Sequence, residues 1–222
     1  MKNPPSDCYL LNGNITVFCG THTNAFKQDI LNSNLYAALV ASQSSVTPEA
    51  NWAKYRDTIS KLSWTINSLE SKRVDFEKSS LINLIAISAE NALPSEERKI
   101  VAKAFSHIKN IDCNAPALEK LLETLNANVS AATGGTYTTI TIVRANKSVI
   151  TVQMLFEVTH LIDLDLLELP VLSSIKDNNT NIRVMRSALD ERQYAKLRDT
   201  IIKKLGSKIE TDLIHIPMDR LS

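Results

Sequence analysis

With 222 residues, 44% of them hydrophobic and 22% charged, the chain has the composition of a folded protein and enough length for one complete core. Its 25 Lys and Arg balance 24 Asp and Glu, so no overall positive field exists to gather a polyanion, and nucleic-acid binding is disfavoured. Three widely spaced cysteines, Cys8, Cys19 and Cys113, do not form the pattern of a disulfide framework and read as reduced thiols.

The first segment, through about Asn24, carries Pro, Gly and Asn and reads as an irregular arm with a short strand at Ile15–Cys19. Pro4-Pro5 and Asp7 fall where a signal peptide needs an unbroken apolar run. The expected location is therefore the cytoplasm, or the exterior by a route without a cleavable signal. From Asp29, the residues Leu31, Leu35, Ala38 and Leu39 recur at helical spacing. Thr47-Pro48-Glu49 then starts a second helix: Thr caps exposed amides, Pro suits the first turn and Glu complements the positive dipole end. At Trp64 the period drops to two, with Ile66 on the same parity and Val74 and Phe76 resuming it after Glu70–Arg73, which predicts strands.

Leu81 to Leu93 predicts an apolar helix stopped by Pro94, too short and too polar at its end to cross a bilayer, so an integral membrane protein is not expected. Ser95-Glu96-Glu97 opens another helix, with Ile100, Val101, Ala104, Phe105 and Ile108 on one stripe. Asn114 can cap a third carrying Leu118, Leu121, Leu122 and Leu125. After Gly134-Gly135 two alternating runs flank the tight turn Arg144–Lys147, which predicts a hairpin over residues 136–158. Ile150, Val152, Met154, Phe156 and Val158 share one face of it. Leu161–Leu169 and Asn181–Ser187 read as further strands, short and irregular enough that one should be a sheet edge. Asp190 and Gln193 suggest a capping box for a closing helix, with Tyr194, Leu197, Ile201 and Leu205 inward and Gly206 at its end. The fold expected is α+β: one domain over 1–222, a helical N-terminal part packed on an antiparallel sheet, and a closing C-terminal helix.

Asn32–Gln43 (NSNLYAALVASQ), the Trp52-x-x-Tyr55 pair leading to Trp64, and Tyr194-x-x-x-Arg198-x-x-Ile201-x-x-Lys204-Leu205-Gly206 together resemble a group of uncharacterised microbial proteins of similar length. The match is scattered over most of the chain. Small bacterial virulence-associated proteins also look similar. That resemblance implies no catalytic residues.

Side chains that could carry chemistry are few. Gly134-Gly135 lacks the further glycines and the Lys-Ser/Thr pair of a phosphate loop, and a strand follows it. Cys19-Gly20-Thr21-His22 has a metal-like spacing without a second pair of ligands. His160, Asp163, Asp165 and Glu168 lie within nine positions, yet an extended chain would turn His160 away from Asp163 and Asp165. Cys113 precedes a helix cap, which favours a thiolate, but packs by default as a small hydrophobe. Cys113, His160, Asp163 and Asp165 are thus the weak catalytic candidates, with no cofactor or metal expected. His107 and His215 are isolated.

The function expected is that of a non-catalytic, soluble binding or effector-type protein acting through a protein partner or an apolar ligand held between helices and sheet, as a monomer or weak homodimer. An enzyme with a dispersed thiol or acid/base site is the alternative. A membrane-active protein using the 136–158 hairpin is the other, because each arm approaches the roughly 9–11 residues of a spanning strand.

Overall fold

A computed structural model describes residues 6–12, 14–44, 47–74, 93–109, 119, 122–123, 135–157 and 181–216. Its elements in chain order are β1 (Ser6–Leu11), β2 (Asn14–Cys19), α1 (Asn24–Ser44), α2 (Pro48–Lys61), β3 (Trp64–Lys72), α3 (Ser95–Lys109), β4 (Gly135–Val143), β5 (Val149–Glu157) and β6 (Ile182–Leu189). Then follow α4 (Glu191–Tyr194), α5 (Arg198–Leu205), α6 (Lys208–Thr211) and β7 (Leu213–Ile216). The strands form one sheet in the order β3-β6-β5-β4-β2-β1-β7.

That sheet is mixed rather than antiparallel as expected, because β2 runs parallel to β4, with Ile15 opposite Ile140 and Phe18 opposite Val143. The first segment is also more ordered than its Pro, Gly and Asn content suggests. β1 and β2 pair antiparallel around a turn in which Asn12 has φ 44, a left-handed value that Asn tolerates better than most residues. Cys8, Leu10, Ile15, Val17 and Cys19 are all buried on one face of this pair. Alternation was present in the sequence and the turn residues interrupted it. Of the two runs from which one edge is expected, 181–187 forms β6, an internal strand between β3 and β5, and Leu161–Leu169 lies outside the described residues. Among the described residues the outer strands of the sheet are β3 and β7.

The hairpin forms as predicted. Its turn closes through Arg144 N–H to Ser148 O at 2.9 Å and Lys147 N–H to Arg144 O at 2.8 Å, with Lys147 at φ 67. Both arms lie at the centre of the sheet. Ile140, Ile142, Ile150, Val152 and Met154 join Ile100, Val101, Ala104, Phe105 and Ile108 of α3 in one apolar cluster. Each such side chain removed from water contributes about 1.5–3 kcal/mol. On the opposite face α1, α2 and α5 supply Phe26, Ile30, Leu31, Leu35, Trp52, Tyr55, Ile59, Ile201 and Leu205 to a second cluster. The sheet is therefore sandwiched between two helical layers.

Three Arg–carboxylate clasps tie helices down. Arg198 of α5 makes a two-bond fork to Asp29 of α1, both bonds at 2.7 Å. Arg144 in the hairpin turn donates to Glu97 of α3 at 2.8 Å, and the Ala145 amide donates to the other oxygen at 3.1 Å. Arg183 of β6 donates to Glu49 of α2 at 2.8 Å. Forked guanidinium contacts of this kind add geometric specificity as well as attraction.

The closing helix is not continuous. Asp190 Oδ1 accepts from the amides of Arg192 and Gln193 as expected of a cap, but the Asp190 amide goes to Ser63 O and Gln193 accepts from Lys196, so the reciprocal half of the box never closes. Leu197 N–H then bonds Tyr194 O at 2.8 Å, a tighter turn that separates α4 from α5. Tyr194, Ile201 and Leu205 are buried while Leu197 is only half-buried. The strand at β3 carries a bulge between Ile66 and Ser68. The predicted helix at Leu81–Leu93, save Leu93 itself, lies outside the described residues, as do the Asn114 cap and the run Leu161–Leu169.

Candidate functional site

Two strands and two helices build the site from residues the sequence pattern places on polar faces. Thr139, Thr141, Thr151 and Gln153 alternate with the apolar side chains of the hairpin and so project from the opposite side of the sheet. All four are at most 5% exposed, because α1 and α2 cover them. The turn between β1 and β2 brings Asn12 and Asn14 to the same place. α2 contributes Asn51, Trp52 and Tyr55, set one turn apart by the helical period. α2 itself is started by Thr47, whose hydroxyl accepts from the Ala50 amide at 3.2 Å.

These groups enclose a cavity of about 30 Å³ between Asn12 and Asn14, the α1 residues Ala38 and Ser42, the start of α2, and Tyr137, Thr139 and Gln153. A water requires about 10–15 Å³, so the space admits about two. Its lining carries no ionisable carboxylate, amine, guanidinium or imidazole. Trp52 and Tyr55 stack with centroids 5.9 Å apart and planes 14° from parallel, which forms a rigid wall.

The wall is anchored by hydrogen bonds. Tyr55 Oη donates to Asn34 Oδ1 at 2.6 Å. Burial drives the Tyr55 hydroxyl far above its ordinary pKa, only partly opposed by the Thr151 hydroxyl, so it stays a neutral donor. Arg183 orients the floor: its guanidinium donates to Gln153 Oε1 at 2.8 Å and to Pro48 O at 3.3 Å while holding Glu49. The Glu49 carboxyl is pushed up by partial burial, yet the bonds and charge of Arg183 outweigh that and lower its pKa overall. Fixing Gln153 Oε1 on Arg183 leaves its NH₂ to act as donor. The side chains of Asn12, Asn14, Asn51 and Thr139 line the same cavity.

No protein-family model matches the chain. No curated protein matches it either. Among solved structures it is similar to the Evf virulence factor. That similarity has a TM-score of 0.39 and 7% sequence identity, and covers 91% of this chain and 84% of the other.

The residues singled out from sequence fare differently. Cys113, His160, Asp163 and Asp165 lie outside the described residues. Cys8 and Cys19 are free, buried thiols, and burial raises each to a pKa of about 12. At neutral pH neither is a thiolate. In Cys19-Gly20-Thr21-His22 the link is a hydrogen bond, His22 Nε2 to Cys19 O at 3.1 Å, made possible because Gly20 adopts φ 90. His22 is buried, its Nδ1 has no partner among the described residues, and it stacks on Phe26 with centroids 5.3 Å apart. His107 is half-buried on α3. His215 on β7 packs against Tyr9 and sits 3.8 Å from Asp7. Among the described residues no group of three or more His, Cys, Asp or Glu is placed to hold a metal ion. No described helix is long and apolar enough to cross a membrane.

Sequence reasoning missed the amides of the cavity. Asn12 and Asn14 fall in the first segment, which reads as an irregular arm, and Asn51 lies in the helix opened by Thr47-Pro48-Glu49. The available signal was the parity of Thr139, Thr141, Thr151 and Gln153, four polar residues on one face of a hairpin whose other face is wholly aliphatic at its centre.

Proposed function

We propose that the chain is a non-catalytic binding protein of effector type, and that its binding surface is the cleft under α1 and α2. The observation that supports this is the division of labour among its polar groups. Asp29, Glu49 and Glu97 are each occupied by an arginine from another element, and Cys8 and Cys19 are held as thiols. The cleft is lined instead by amides and hydroxyls with no charged group among them. Such groups can recognise a ligand and have no acidity with which to transform one. On the other side of the sheet the side chains of α3 pack with those of the strands in an apolar cluster. A protein working as a monomer or weak homodimer, in the cytoplasm or exported without a cleavable signal, is consistent with this reading. A turnover screen over ester, amide, phosphate and glycoside substrates should give no activity that Asn51→Ala or Gln153→Ala abolishes. Such activity would overturn the proposal.

A second reading has its own observation. Each arm of the β4–β5 hairpin is nine residues long, with an apolar centre on one face and a polar centre on the other. That segregation suits a strand pair with lipid on one side and water on the other. Dye release from phospholipid vesicles at micromolar protein supports membrane activity, and its absence leaves the hairpin a core element.

A further inference from the structure

We infer that the cleft binds a neutral polyhydroxylated ligand, a sugar that enters by one edge. The inference rests on the binding reading above and adds the chemical class.

Three properties of the cavity select that class. First, it is uncharged throughout. An anionic or cationic ligand would lose its hydration and find no countercharge, and the nearby Arg183 is already committed to Glu49, Gln153 and Pro48. Second, its polar lining is rich in amides. Asn12, Asn14 and Asn51 each offer a carbonyl acceptor and an NH₂ donor side by side, while Gln153 presents its NH₂ and Thr139 a hydroxyl. A hydroxyl both donates and accepts, so neighbouring hydroxyls on a ring match neighbouring amides. An apolar ligand would instead cover those amides and leave them unpaired. Third, the volume of about 30 Å³ is too small for a whole ring and about right for two hydroxyls in place of two waters. Replacing ordered water by groups that reproduce its hydrogen bonds is the condition under which displacement does not weaken binding. Trp52, stacked on Tyr55, lines the cavity beside these amides.

The arrangement is also preorganised. Tyr55 is tied to Asn34, Gln153 to Arg183, and α2 to the sheet through the Arg183–Glu49 clasp. A ligand would not have to order these side chains, which limits the cost of binding.

The test is a titration of the purified full chain, followed by two-dimensional amide NMR and Trp fluorescence. Glucose, galactose, N-acetylglucosamine, lactose and trehalose are the probes, with glucose 6-phosphate, a fatty acid and an uncharged tripeptide as comparators. The expected result is saturable shifts at Asn51, Trp52 and Gln153 with at least one neutral sugar, weakened about tenfold or more by Asn51→Ala. Thr139→Val, which keeps shape and removes the hydroxyl, should weaken it as well. Thermal melts establish that both variants fold. Absence of shifts at the cleft up to tens of millimolar sugar overturns the inference, as does binding unaffected by both variants. Saturable binding of the phosphate, fatty acid or tripeptide at the cleft in place of sugars overturns the chemical class yet leaves the binding reading standing. Conversion of a bound sugar supports the class and overturns the non-catalytic reading.

Discussion

The β4–β5 hairpin turns aliphatic side chains toward α3 and threonines and a glutamine toward α1 and α2, yet both faces are equally dry. Ile140, Ile142, Val152 and Met154 are 0% exposed on the first, and Thr141, Thr151 and Gln153 are at most 2% exposed on the second. The α3 face is held mainly by apolar area, with little tolerance for lost volume, and is fastened at the hairpin turn by the Arg144–Glu97 clasp. The central part of the α1–α2 face also makes directed bonds, such as Tyr55 Oη to Asn34 Oδ1. Among the described residues, Asn32 Oδ1, Asn34 Nδ2, Ser187 Oγ and Tyr194 Oη are buried on that side with no protein partner. Polar and apolar burial thus divide between the two faces of one hairpin, while each side of the sheet keeps an apolar cluster of its own.

The largest test of this contrast is Phe105→Ala on α3. It removes a fully buried ring from the aliphatic layer and should cost about 3–5 kcal/mol by urea unfolding. Ile201→Ala, at the apolar rim of the other face, should cost about 2–5 kcal/mol, and Leu197→Ala, being half-buried, distinctly less. Equal costs for those two would mean that α4 and α5 pack as one helix. Arg198→Met leaves Asp29 buried at 2% exposure with no guanidinium and should cost about 1.5–3 kcal/mol. Tyr55→Phe removes one bond to Asn34 and should cost about 1 kcal/mol.

Acid should act first at the N-terminal end of α1. His22 is lowered from 6.5, chiefly by burial and then by Lys27 and Lys147, against the opposing Cys19 carbonyl and Asp7. The folded state therefore binds a proton less readily than the unfolded chain. Stability is complete above about 6.5 and falls as the pH drops below it toward the folded value. His22→Phe should flatten the melting temperature between pH 7 and 5. The Glu49–Arg183 clasp has the carboxylate sign: Glu49 is lowered from 4.5, so its contribution is present above that value and is lost at more acid pH. Glu70, lowered from 4.5 by its bond to Arg186, adds in the same range.

Much of the architecture is visible in local patterns. Ile100, Val101, Ala104, Phe105 and Ile108 announce α3 because helical spacing is a property of neighbours, and the hairpin arms announce themselves by parity for the same reason. Thr47 and Pro48 mark the start of α2 correctly. What local pattern cannot hold is the pairing of β2 with β4, which joins residues far apart in the chain, or the partners of Asp29, Glu49 and Glu97. The cleft belongs to this second kind. Asn12, Asn51 and Gln153 are ordinary in their own segments and become a site only when three elements converge. The break at Leu197 was hidden because Tyr194, Ile201 and Leu205 keep helical spacing across it.

The parallel pairing of β2 and β4 also sets a timetable for synthesis. Ile15 finds its partner in Ile140, so roughly 125 residues must leave the ribosome before the open side of the β1–β2 pair is covered. At about 5–20 residues per second that interval is on the order of 6–25 s. Throughout it the nascent chain displays a two-stranded ribbon carrying Ile15, Val17 and Phe18, and β7, which closes the other side against Cys8 and Leu10, emerges later still. Slowing translation downstream of β2 should therefore lower the yield of soluble protein, and a holdase chaperone supplied in excess should restore it.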